Sequence, residues 1–103
     1  MEYFSEQVIK FIAAIPAGKV VAYGQVAAAC GKPRAARQVA RILKNYSVQL
    51  QLPWQRVINS RGQISLGKNG GYEEQKARLL SEGIIFDEND SVDWEKFGWR
   101  PDL

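Results

Sequence analysis

Apolar residues recur at helical spacing near the start of the chain. Val8, Ile9, Phe11, Ile12 and Ile15 share one side of a 3.6-residue period and predict an amphipathic helix ending near Ile15, with Ser5 as its cap. Pro16-Ala17-Gly18-Lys19 breaks it. Val20-Val21-Ala22 reads as a short strand, and a second short helix is predicted over Gln25 to Ala29. Gly31-Lys32-Pro33 forms a turn, and Pro33 suits the start of a third helix running from about Arg34 to Lys44. Helix, Gly-containing turn and helix is the helix-turn-helix layout. The chain then reads as polar and irregular from Asn45 until Pro53. Arg56-Val57-Ile58 and Gln63-Ile64-Ser65-Leu66 flank Asn59-Ser60-Arg61-Gly62, which predicts a small hairpin with Gly62 at the left-handed turn position. A glycine-rich loop, Gly67 to Gly71, leads into a fourth helix over Tyr72 to Glu82 that Gly83 stops. Ile84-Ile85-Phe86 is a short strand candidate, and Trp94, Phe97 and Trp99 are expected to fold back on the core. The order of elements gives an α+β class, mostly helical and winged-helix-like, in one domain.

The third helix carries two stripes. At about 100° per residue, Arg34, Arg37, Arg41 and Lys44 fall within roughly 80° of arc, while Ala36, Val39, Ala40 and Leu43 cluster about 130° away. One stripe suits the core and the other a polyanion; an ordinary amphipathic surface helix has the same pattern, and the preceding turn favours DNA. Charge along the chain sharpens this. There are 14 Lys and Arg against 11 Asp and Glu, a net charge of only +3. Residues 32–44 nonetheless hold Lys32, Arg34, Arg37, Arg41 and Lys44 with no acid, and residues 82–95 hold Glu82, Asp87, Glu88, Asp90, Asp93 and Glu95 with no base. A polyanion therefore has a preferred face.

Apolar residues are 46% of the 103, enough for a core in a small domain. A single Cys30 and no His exclude a Ser-His-Asp or Cys-His pair, and no zinc or other metal site or cofactor is expected. A lone Cys suits a reducing, cytoplasmic setting. The N-terminus lacks a basic stretch followed by a long apolar one, and no apolar run reaches the roughly 18–20 residues that span a bilayer. A monomer is expected, since nothing resembles a dimerisation helix.

Pro53-Trp54-Gln55-Arg56-Val57 resembles the Pro-Cys-His-Arg-Val active-site strip of the O6-alkylguanine-DNA alkyltransferases. Val21-Ala22-Tyr23-Gly24-Gln25-Val26-Ala27 is similar to that family's entry into the helix-turn-helix, and Ala35-Ala36-Arg37-Gln38-Val39 to its recognition helix. Asn45 stands where the family has a hinge Asn, and Leu79-Leu80-Ser81-Glu82-Gly83 is similar to its closing segment. Five weak matches in order make a strong one. Trp54 stands at the Cys position and Gln55 at the His position. A thiolate is the nucleophile in alkyl transfer, and an indole nitrogen only donates hydrogen bonds. The chain thus resembles the alkyltransferase-like proteins, which read damage without repairing it.

The resemblance implies a mode of action. The helix-turn-helix, with Tyr23, Arg34, Ala36, Arg37, Arg41 and Lys44, would bind duplex DNA containing O6-alkylguanine, and the lesion base would be flipped. Arg37 would act as the arginine finger that fills the gap in the stack. Tyr23, Trp54, Gln55, Gly67 and Lys68 would line the lesion pocket, while Asn45, Pro53, Arg56 and Glu82 would have structural parts. The complex would flag damage to nucleotide-excision-repair proteins, and the acidic Asp87–Glu95 segment is either a contact for them or a solvated loop. Two alternatives stay open: a sequence-specific winged-helix regulator, and a residual repair enzyme with Cys30 as acceptor.

Overall fold

The computed structural model describes residues 2–101. Helix α1 (Tyr3–Ala13) is followed by strand β1 (Val21–Ala22), then α2 (Tyr23–Ala29) and α3 (Ala36–Leu50). A single 3-10 turn (Trp54–Arg56) precedes β2 (Val57–Ile58), and α4 (Tyr72–Ser81) and α5 (Trp94–Phe97) complete the order. No helix among the described residues is long and apolar enough to cross a membrane.

The strands partition the interior. β1 and β2 pair in parallel, Val21 opposite Val57 and Ala22 opposite Ile58. Successive strand side chains point to opposite faces. Val21 and Val57 accordingly enter one apolar cluster, with Val8, Ile12, Val26, Val39 and Leu43 from the first three helices. Val20 and Ile58 enter a second, with Ile64, Leu79, Ile84 and Val92 from the C-terminal half. The Trp54–Arg56 turn lies at the head of β2, on the seam between the two halves.

The helix-turn-helix forms as its sequence predicts. The Gly31 N–H donates to the Ala28 carbonyl (3.0 Å) and the Lys32 N–H to that of Ala27 (2.9 Å). This closes α2 with a Schellman turn, and Gly31 takes the left-handed conformation (φ +90°) that the turn requires. The tail folds back: Trp99 packs on Phe11 with centroids 5.2 Å apart, and Val20 exchanges backbone hydrogen bonds of 2.9 Å with Phe97 and Trp99.

Several expectations are corrected. Ser5 does not cap α1. The helix starts at Tyr3, because Glu2 already supplies the extended N-cap backbone and Phe4 is the first core residue; Ser5 lies inside it, buried. Helix α2 begins two residues early, with the Gln25 carbonyl oxygen accepting from the Ala22 N–H at 3.4 Å. Pro33 and Arg34 belong to the turn rather than to α3.

Helix α3 does not stop at Lys44. Its apolar stripe continues through half-buried Tyr46, and buried Leu52 closes the end by donating to the Ser47 carbonyl (3.0 Å), with Gln51 left-handed between them. Asn45 is therefore an exposed residue inside a continuous helix and does not lie between that helix and the strip. Within α3, Val39, Ile42 and Leu43 are buried, whereas Ala40 is exposed: the core stripe is rotated toward Ile42.

The predicted hairpin is a turn without a ladder. Asn59 and Gln63 close it (3.0 Å), and Gly62 is left-handed (φ +78°) as expected. β2, however, pairs with β1, which buries both of its residues. The returning chain docks elsewhere, with the Val92 N–H donating to the Gly62 carbonyl at 2.8 Å. A Cβ at Gly62 would lie 2.8 Å from the Val92 oxygen, so this contact needs glycine. Ile84–Phe86 forms no strand beyond a single bridge between Phe86 and Val92.

Candidate nucleic-acid interface and lesion pocket

The basic stripe lines an open groove. Lys32, Pro33, Arg34, Ala35, Arg37, Gln38 and Arg41 surround about 580 Å3 at the start of α3. Arg34, Arg37, Arg41 and Lys44 are exposed, and among the described residues none enters a salt bridge. Lys44 extends the stripe beyond the groove. Ala36, the first residue of α3, is half-buried. The Lys32 ammonium lies 4.8 Å from the Phe4 ring centre. The acid nearest this groove in the hydrogen-bond network is Glu2, which accepts from the Gln38 amide at 2.6 Å. Unpaired cations around a concave surface at a helix start fit phosphate oxygens.

The strip at the seam is held from two sides. Pro53 supplies the bend before the 3-10 turn, its carbonyl accepting from the Arg56 N–H (3.0 Å). The Glu82 carboxylate accepts from Arg56 Nε (2.9 Å), Arg56 Nη2 (3.0 Å), Gln55 Nε2 (2.7 Å) and the Gly18 N–H (3.1 Å). Arg56 Nη1 donates to the Ile15 carbonyl at 2.7 Å. Burial alone would raise the Glu82 carboxyl, but hydrogen bonds from Arg56, Gln55 and the Gly18 amide, with the Arg56 charge, hold it below the ordinary carboxylate range. From the other side, buried Gln75 on α4 donates to the carbonyls of Gln55 and Val57, both at 3.0 Å. Arg56 and Glu82 thus bind each other across the seam.

Trp54 is half-buried, packed against the first cluster, and the Arg78 guanidinium lies 5.5 Å from its ring centre. Gln55 is buried. Its side-chain nitrogen is committed to Glu82, and its side-chain oxygen Oε1 has no partner among the described residues, nor does Oε1 of Gln75. Tyr23 opens α2 and is half-buried against the same cluster as Trp54; its hydroxyl makes no hydrogen bond to a described residue. Gly67 and Lys68 are exposed on the loop entering α4, joined to Trp54 by no hydrogen bond. Gly71 closes that loop with φ +110° as the α4 N-cap.

Two residues escaped the sequence reading: Gln75 and Arg78. The signal was present, since Gln75, Arg78, Leu79 and Glu82 stand at i, i+3, i+4 and i+7, one face of a helix. A stripe of mixed polarity does not announce burial. The acidic segment also differs from a free charge run. Asp87 accepts from the N–H groups of Asn89 and Ser91, Asp93 caps α5, and Asp90 binds Lys76 (2.8 Å) and the Tyr72 hydroxyl (3.1 Å). Glu88 and Glu95 have no side-chain partner among the described residues.

Residues 3–84 match the family model of the 6-O-methylguanine DNA methyltransferase DNA-binding domain. A DNA base-flipping protein of Escherichia coli (strain K12) is 41% identical over 97 residues, covering 94% of this chain and 74% of the relative. Alkyltransferase-like protein 1 of Schizosaccharomyces pombe is 36% identical over 98% of both chains. The solved structure of S. pombe Atl1 in complex with damaged DNA containing O6-carboxymethylguanine superposes with a TM-score of 0.85 at 36% identity, over 98% of each chain. The chain belongs to the family of the 6-O-methylguanine DNA methyltransferase DNA-binding domain and resembles its base-flipping and alkyltransferase-like members.

Proposed function

We propose that this protein binds duplex DNA carrying O6-alkylguanine, flips the damaged base and holds it without removing the alkyl group. The observation that carries the reading is the clasped strip at the seam. Trp54 presents an indole beside a backbone fixed by Glu82 and Gln75, on the same molecule as an unpaired basic groove. The groove supplies sequence-independent affinity through phosphates. The indole supplies an apolar surface for an unstacked base, and a damaged base that pairs badly costs less to extract. The resemblance of the family extends this to flagging damage for nucleotide excision repair.

Transfer chemistry lacks its parts. The chain has no His, and its one thiol, Cys30, caps the far end of α2. Burial pushes that thiol up, away from the thiolate that alkylation requires. On incubation with a duplex carrying isotope-labelled O6-methylguanine, the label is expected to stay with the DNA and the protein mass to stay unchanged. A methyl group recovered on Cys30 would overturn the non-enzymatic reading.

A further inference from the structure

Helix α4 and its C-cap Glu82 grip the strip at three points, and only one of them touches Trp54. Gln75 fixes the backbone and Glu82 fixes Gln55 and Arg56, all through hydrogen bonds. The Trp54 indole makes no hydrogen bond to a described residue. Apart from core packing, its polar neighbour is the Arg78 guanidinium, 5.5 Å from the ring centre. Arg78 is itself oriented: its Nε and Nη2 both donate to Glu74 Oε2, at 3.1 and 2.9 Å. The edge of the guanidinium is thereby committed to a carboxylate while its carbon sits over the indole.

We propose that Arg78 is a positioning residue, held by Glu74, that covers part of the Trp54 indole and sets the orientation in which the ring meets a flipped base. This rests on the lesion-binding reading above. The Glu74–Arg78 pair is half-exposed on both sides, at 60% and 50%, and such surface pairs add little to stability. Its geometry serves orientation instead. A planar guanidinium can bind a carboxylate along its edge and stack through its face at once, which an ammonium cannot. Arg78→Lys therefore separates charge from stacking.

The test compares Arg78→Ala, Arg78→Lys and Glu74→Gln with the parent protein. Duplexes carrying guanine or O6-methylguanine at one position are titrated at fixed salt. Indole N–H resonances are followed by NMR, with Trp54→Phe assigning the Trp54 signal. Both Arg78 variants should cut the preference for the methylated duplex about three- to fivefold and move the Trp54 signal, with thermal midpoints unchanged. Glu74→Gln should fall between and be non-additive with Arg78→Ala. An equal loss of affinity for both duplexes in Arg78→Ala, fully rescued by Lys, with a salt slope reduced by about one, would make Arg78 a phosphate contact and overturn the proposal. If the parent shows no preference, lesion binding itself fails, and the indole signal decides alone: an unmoved Trp54 resonance in Arg78→Ala refutes the positioning role.

Discussion

Glu82→Ala is expected to destabilise the fold by about 3 kcal/mol, the low end for breaking a buried ion pair, and to lower the thermal midpoint by about 15 °C for a domain of this size. The Arg56 and Glu82 side chains are only 18% and 12% exposed. Removing the carboxylate would leave the Arg56 guanidinium with the Ile15 carbonyl as its one acceptor, and the Gln55 amide and Gly18 N–H with none. Orphaned buried donors cost their full desolvation. The clasp also joins the two core clusters, since it ties the loop before β1 to the strip and to the end of α4. Thermal and urea unfolding measure the effect. A midpoint within a few degrees of the parent would show that the seam is held by packing alone.

The same carboxylate sets an acid limb. Glu82 has a lower pKa folded than unfolded, so the unfolded chain binds its proton more readily. The resulting stabilisation is complete above the ordinary carboxylate pKa of about 4.3 and is lost as pH falls through the lower folded value. Glu82→Gln removes that component of the limb. Between pH 5 and 8 no His titrates, because the chain has none.

Arg37→Ala is expected to weaken binding to an O6-alkylguanine duplex about tenfold to a hundredfold, a loss of roughly 1.4–2.8 kcal/mol that is comparable to the few kcal/mol base flipping costs. Arg37 is the second residue of α3, exposed, and shares the groove with Arg34 and Arg41. In the proposed mode it fills the space the flipped base leaves, with its planar guanidinium against the neighbouring bases. Arg34→Ala and Arg41→Ala should each cost several-fold on damaged and undamaged duplexes alike, as phosphate contacts do. If Arg37→Ala matched them on both duplexes, Arg37 would be a phosphate contact and no finger.

What the sequence made legible follows from how local each signal is. The turn at Gly31 and the basic stripe of α3 are short-range patterns, and both stand in the structure. The end of α3 was hidden because Asn45 to Gln51 is mostly polar, and the stripe through Tyr46 ends at Leu52, beyond the helix. The partner of Val57-Ile58 was hidden for a different reason. Parallel pairing with Val21-Ala22 joins segments far apart in sequence, whereas a nearby Gly turn advertises a hairpin. The strip itself reads as a site only through its resemblance to a known motif. Its supports on α4, Gln75 and Arg78, were legible only as positions on a shared helix face.

Titrating two duplexes at one salt concentration, identical except for guanine or O6-methylguanine at a single position, tests lesion reading most directly. Lesion reading predicts clear preference for the methylated duplex, with the alkyl group still on the DNA afterwards. Equal affinity for the two would contradict it and leave a basic helix-turn-helix that binds DNA without regard to damage.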